Sequence, residues 1–297
     1  MRKIAGWVAI LVTLPYITLK TLWVAGIGVG VNDPDLMKAP DMLAANAFTG
    51  GLEVVAVVVA LALIRPWGMR LPAWPLVFPM WVGTGLLEPV VAMVPIGYGV
   101  ELLRPGTLAS SSALDAWVPV VVYGGFTVQA LALLTAFALY ARERWAKLLR
   151  GNTSDVPTGP THRLQRLLAF AAAGLAAAAA IPPAATLFAG TFNQSLQRGV
   201  AVALALLAVI GLLHLVRVRP APMWTAVVLS WLGTAGLFAT GALLLLLNLL
   251  TVVAGEVPDP WGATELTAIV QMLAGMIGGT VAAFTLAERD WEAKVSD

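Results

Sequence analysis

The chain has 297 residues, 59% of them hydrophobic and 11% charged, and its mean hydropathy is +0.86. These values lie far outside the range of soluble globular domains, and several apolar runs reach the roughly 20 residues that span a bilayer. The 18 Lys and Arg residues nearly balance the 16 Asp and Glu, so nothing points to nucleic acid, and with no Cys there are no disulfides, thiolate chemistry or Cys-ligated metals.

In chain order the apolar runs predict an all-helical, polytopic membrane protein with eight spans: Ile4–Val29, Leu43–Ile64, Leu71–Val94, Ala116–Tyr140, Leu164–Ala189, Gly199–Val216, Met223–Leu250 and Leu266–Leu286. The start MRK followed by an apolar run mimics a signal peptide. That run contains Lys20 and no small-residue cleavage site follows it, so it reads as a retained first helix.

Charge asymmetry orients the spans. With the N-terminus in the cytoplasm, that side receives Arg2, Lys3, Arg65, Arg70, Arg142, Arg144, Lys147, Arg150, Arg163, Arg166, Arg217, Arg219, Arg289 and Lys294. The outer side receives only Lys38, Arg104 and Arg198, while Asp33, Asp35, Asp41, Glu101, Asp115, Glu256, Asp259 and Glu265 make the outer loops acidic. Cytoplasmic loops carry the excess of Lys and Arg, so both termini are expected in the cytoplasm of a cell-membrane protein.

The sequence repeats itself. Trp74 to Pro89 reads WPLVFPMWVGTGLLEP, and Trp224 to Phe238 reads WTAVVLSWLGTAGLF, with Phe238 standing where the first copy has Glu88. AFALYARERWAK (Ala136 to Lys147) matches AFTLAERDWEAK (Ala283 to Lys294), and D-x-W opens spans four and eight at Asp115 and Asp259. Three matches in one order predict two four-helix halves. They are residues 1–150, carrying the charged cluster, and 164–297, a degenerate copy, joined by a cytoplasmic linker at 151–163 that holds Gly151, Pro157, Gly159 and Pro160. Each half has an even number of spans, so the repeat is expected to be parallel. The small residues Gly83, Gly85, Gly233, Ala235, Gly275 and Gly279, and the alanine run from Ala171 to Ala180, predict close helix packing.

Three ionisable residues fall deep in predicted spans. At about 1.5 Å per residue, Lys20 lies roughly 24 Å from the cytoplasmic edge, Glu53 roughly 18 Å and Glu88 roughly 26 Å. Helical spacing gives each a stripe of neighbours: Tyr16, Lys20 and Trp23; Asn46, Gly50 and Glu53; Trp81, Thr84 and Glu88. A charge in hydrocarbon is costly without a partner, so the stripes are expected to converge with Lys20 between the two carboxylates. Pro89 and Pro15 each remove a backbone hydrogen bond beside a charge, and irregular backbone at membrane depth usually lines a cavity.

Such a cluster predicts proton-transfer chemistry on a lipophilic or membrane-presented substrate, of isomerase or cyclase type. Glu88 would act as the acid, Glu53 as the partner base and Lys20 as the tuning charge, with Tyr16, Trp23, Asn46, Trp81 and Thr84 binding the substrate. The same residues also fit a small-solute or proton-coupled transporter, and a static cluster would fit an accessory subunit of a partner protein. No cofactor is implied, and the bilayer is the one partner that composition names.

Other motifs carry less. The outer loop NDPDLMKAPD resembles the Asp-rich signature of membrane prenyltransferases, which hold a diphosphate through magnesium. It departs from that signature because Asp35 follows Asp33 by two residues instead of three, Pro34 and Pro40 break the helix, and no second Asp-rich motif follows. It reads instead as a solvated acidic loop in which Asp33, Asp35 and Asp41 offer weak ligands to a hard cation. No H-E-x-x-H, P-loop or G-x-S-x-G is present, which argues against zincin, NTPase and common hydrolase chemistry.

Overall fold

A computed structural model describes residues 1–33, 39–103, 113–155, 159–253 and 262–296. The predicted residues Pro34, Asp35, Lys38, Arg104, Pro157, Glu256, Asp259 and Trp261 lie outside these. The described residues form eight long helices: α1 (Arg2–Val24), α2 (Pro40–Ile64), α3 (Trp74–Leu103), α4 (Trp117–Arg144), α5 (His162–Ala185), α6 (Phe192–Leu215), α7 (Met223–Val253) and α8 (Ala263–Ser296). Each is long and apolar enough to cross a bilayer, which makes the chain a multi-pass membrane protein.

Local chemistry sets the ends where they differ from the apolar runs. Helix α1 stops five residues before Val29, because Gly26 takes φ +80° and its N–H bonds the Trp23 carbonyl while that of Ile27 bonds Leu22. This paired closure ends a helix and favours glycine. Helix α6 starts seven residues before Gly199. The Thr191 side chain accepts from Gln194 N–H at 3.3 Å and the Gln194 side chain accepts from Thr191 N–H at 3.0 Å, a capping box that pulls the polar segment from Phe192 into the helix. Helix α3 runs on through Pro79, Pro89 and Pro95 to Leu103.

The chain divides into two compact units. The first comprises Met1–Gly83, Leu87–Tyr140 and Leu246–Asp259. Within it α1 approaches α2 so closely that a Cβ on Gly6 would overlap Ile64. The short 3-10 turn Pro66–Arg70 after α2 is clamped by the buried Tyr140 of α4, whose hydroxyl donates to the Gly68 carbonyl at 2.9 Å. Leu19, Trp23 and Val118 form a small apolar core at the other end, where Val31 bridges Leu114.

The second unit comprises Thr84–Leu86, Ala141–Leu245 and Pro260–Asp297. Its core is built from small residues, as helix association in lipid requires. Ala172, Ala176 and Ala179 of α5 are buried, and a Cβ on Gly211, Gly233, Gly241 or Gly275 would collide with the backbone of a neighbouring helix. Ala169, Ala172, Leu212, Val216 and Val281 pack in one cluster, and Ala176, Ala205, Ala208, Leu237 and Ala274 in another.

Candidate functional site

The buried side of α1 is Gly6, Ala9, Thr13, Tyr16, Leu19 and Trp23, spaced three or four apart. Lys20 leaves this face towards α2, crossing Gly50, where an added Cβ would stand 3.8 Å from the lysine Cβ. Its ammonium donates to Asn46 Oδ1 at 2.6 Å and lies 5.1 Å from the ring centres of both Tyr16 and Trp23. One amide oxygen and two aromatic faces thus hold the charge, each ring contributing about 0.5–2 kcal/mol of cation–π attraction depending on desolvation. The rings are themselves fixed. Trp23 donates its indole N–H to the Val29 carbonyl at 2.9 Å, and Tyr16 meets Phe126 edge to face at 4.7 Å.

Glu53 follows Asn46 by seven residues on the same side of α2, about 10 Å along the axis at 1.5 Å per residue. It is buried, and Gln129 of α4, also buried, donates its amide N–H to Glu53 Oε2 at 2.7 Å. Thr49 lies between Asn46 and Glu53. The Tyr16 hydroxyl faces the Thr49 side chain and has Glu53 and Tyr123 within electrostatic reach. Asn46, Thr49 and Glu53 therefore make a polar ladder up α2, with Tyr16 and Lys20 of α1 on one flank and Gln129 of α4 on the other.

Trp81, Thr84 and Glu88 share one side of α3. Trp81 and Thr84 are buried, and Thr84 accepts from the Trp231 indole N–H at 3.2 Å. Trp231 and Thr84 come from the two copies of the W-x-G-T motif. Glu88 has both carboxyl oxygens buried, and neither accepts a hydrogen bond from any described residue. A buried ionised carboxylate with no partner costs several kcal/mol, a cost removed by a proton, a counter-charge or the polar group of a bound molecule. Native proteins rarely leave a buried polar atom unsatisfied without a functional or structural reason.

The structure brings Lys20, Tyr16, Trp23 and Asn46 together. Among the described residues neither Glu53 nor Glu88 forms an ion pair with Lys20. The expected lysine between two carboxylates is replaced by an amide on each charge, Asn46 on Lys20 and Gln129 on Glu53. An amide can accept from an ammonium or donate to a carboxylate, so each group finds its partner locally. Thr49 carries no signal in sequence that separates it from other helix threonines, whereas Gln129 is visible there as a polar residue inside a span. Among the described residues no three His, Asp or Glu side chains converge as a metal site would need. No protein family, no curated protein and no solved structure matches the chain.

Proposed function

We propose that the first unit handles protons inside the bilayer, as an integral membrane enzyme of isomerase or cyclase type acting on a lipophilic or membrane-presented substrate. The observation that carries this reading is the Glu88 carboxyl, buried on both oxygens and accepting no hydrogen bond from a described residue. A general acid waiting for its substrate has this character, since its partner arrives with the molecule it protonates. Glu53 serves as the base, oriented by Gln129, and Lys20 supplies a fixed positive charge that stabilises negative charge developing on the substrate. Tyr16, Trp23, Asn46 and Trp81 shape the pocket.

The chemistry suggests a test that needs no named substrate. An isomerase or cyclase that protonates carbon writes solvent hydrogen into its product. Membranes bearing the protein, incubated in heavy water, are expected to accumulate a lipophilic product one mass unit heavier, and membranes bearing Glu88→Gln are not. Equal labelling with both proteins would remove Glu88 as the acid.

The ladder on α2 favours a second reading. Titratable and hydroxyl groups strung along a membrane helix also make a proton relay of the kind pumps and coupled transporters use. In that case proteoliposomes would dissipate a pH gradient, and Glu53→Gln and Glu88→Gln would each abolish the flux. If the protein serves only as an accessory subunit, neither labelling nor flux appears.

We also propose two four-helix halves, 1–150 and 164–297, joined by the linker 151–163, with both termini in the cytoplasm. The three sequence matches support the repeat. The two copies differ where the first has Glu88 and the second has Phe238.

A further inference from the structure

The second unit has a small recess where three helix ends meet, lined by Thr153, Leu215, Arg217, Met223, Thr285 and Arg289. Leu215 closes α6, Met223 opens α7, and Arg289 stands two residues before Trp291, the last residue of the apolar span in α8. The recess therefore lies at headgroup depth, and the exposed Trp224 and Trp291 beside it are typical of that interface.

The two arginines give the recess its chemistry. Arg289 donates from Nη2 to the Arg150 carbonyl at 2.5 Å, while its Nη1 is buried and has no hydrogen-bond partner among the described residues. Arg217 lies close enough for the two guanidinium groups to repel each other, and the nearby Asp155 carboxylate outweighs that repulsion at Arg289. Thr153 accepts from the Ala221 N–H at 3.2 Å, which leaves its own hydroxyl proton to donate. The Thr285 hydroxyl is engaged with the Val281 carbonyl and the Gln165 side chain, so it serves as wall.

The backbone at Arg217 adds an independent sign. Its φ is +62°, in the left-handed region, and it closes α6 by donating to His214 while Val218 donates to Leu213. Glycine is the usual residue at this position of a helix end, because any Cβ there is strained. Arginine stands here against that preference, which points to a use for its side chain.

We propose that this recess binds a phosphate group, with one oxygen against Arg289 Nη1 and the Thr153 hydroxyl and with Arg217 at the mouth, and that an anionic lipid headgroup supplies it. The space inside holds about one water molecule, enough for one phosphate oxygen, so the rest of the headgroup stays outside with the interfacial tryptophans. Basic recesses between membrane helices bind acidic headgroups in this way.

Thermal unfolding of the full chain in detergent micelles tests the proposal. Adding dioleoylphosphatidylglycerol is expected to raise the midpoint by several degrees above the value with dioleoylphosphatidylcholine. Arg217→Gly, which suits the left-handed backbone and so keeps the fold, is expected to lose at least half of that rise, as is Arg289→Gln. Arg163→Gln/Arg166→Gln, which removes two exposed arginines of the same unit, is expected to keep it. No rise in the native protein, or an undiminished rise in both recess variants, would overturn the site. The same rise with millimolar inorganic phosphate alone would overturn the lipid as its source.

Discussion

The Lys20 ammonium donates to the Asn46 amide oxygen at 2.6 Å, and the pair is flanked by the rings of Tyr16 and Trp23. A lysine at membrane depth is thereby held by neutral groups, so its positive charge stays uncancelled for a substrate or a migrating proton to meet. This is what separates a working charge from a static ion pair, in which the field of one partner cancels that of the other.

The first prediction concerns that pair. Asn46→Leu strands the ammonium and is expected to lower stability by about 1–2 kcal/mol, at the upper end for hydrogen bonds between membrane helices. Lys20→Met alone should cost less, and the double variant should cost less than the sum of the singles by about 1 kcal/mol. Reversible unfolding in mixed micelles measures all three; strictly additive losses would mean that the two side chains do not interact.

A second prediction separates the two roles of Glu53. Gln129→Leu removes the donor to Oε2 and leaves a buried carboxylate oxygen unsatisfied, with an expected loss of about 1–3 kcal/mol. Glu53→Gln keeps an amide-to-amide hydrogen bond and is expected to fold with stability within about 1 kcal/mol of the native chain, yet to lose the labelling or the flux. Circular dichroism melts alongside either assay distinguish these outcomes, and full activity in Glu53→Gln would exclude it as the base.

How much of this was legible in the sequence varies with the physics. The eight spans were, because twenty apolar residues in a row admit no other home, and the alanine and glycine packing of the second unit was too. The ends of α1 and α6 were missed, since a Gly26 closure and a Thr191 capping box act over four residues and leave no trace in a hydropathy average. Depth and spacing were enough to single out Lys20, Glu53 and Glu88. Their partners were not legible, because Asn46 lies 26 positions from Lys20 and Gln129 lies 76 positions from Glu53, and only the folded arrangement of α1, α2 and α4 decides which polar groups meet.

Third, the glycines of α3 are expected to differ although they lie two residues apart. A Cβ on Gly85 would overlap the Ala235 carbonyl, so Gly85→Ala should destabilise by about 1–3 kcal/mol through overpacking. Nothing lies within 4 Å of a Cβ on Gly83, so Gly83→Ala should be neutral or stabilise by up to about 1 kcal/mol through helix propensity. Melting midpoints of the two variants check this, and equal effects would contradict the close approach at Gly85.

The central claim is that the Glu88 carboxyl serves function and not the fold. The stability of Glu88→Leu tests it most directly, because replacing an unsatisfied buried polar group with an apolar one relieves a desolvation cost of about 1–3 kcal/mol. The account predicts an unfolding midpoint above that of the native protein, together with loss of solvent labelling and of proton flux. A midpoint well below the native value would contradict it, for the carboxyl would then be holding a structural partner.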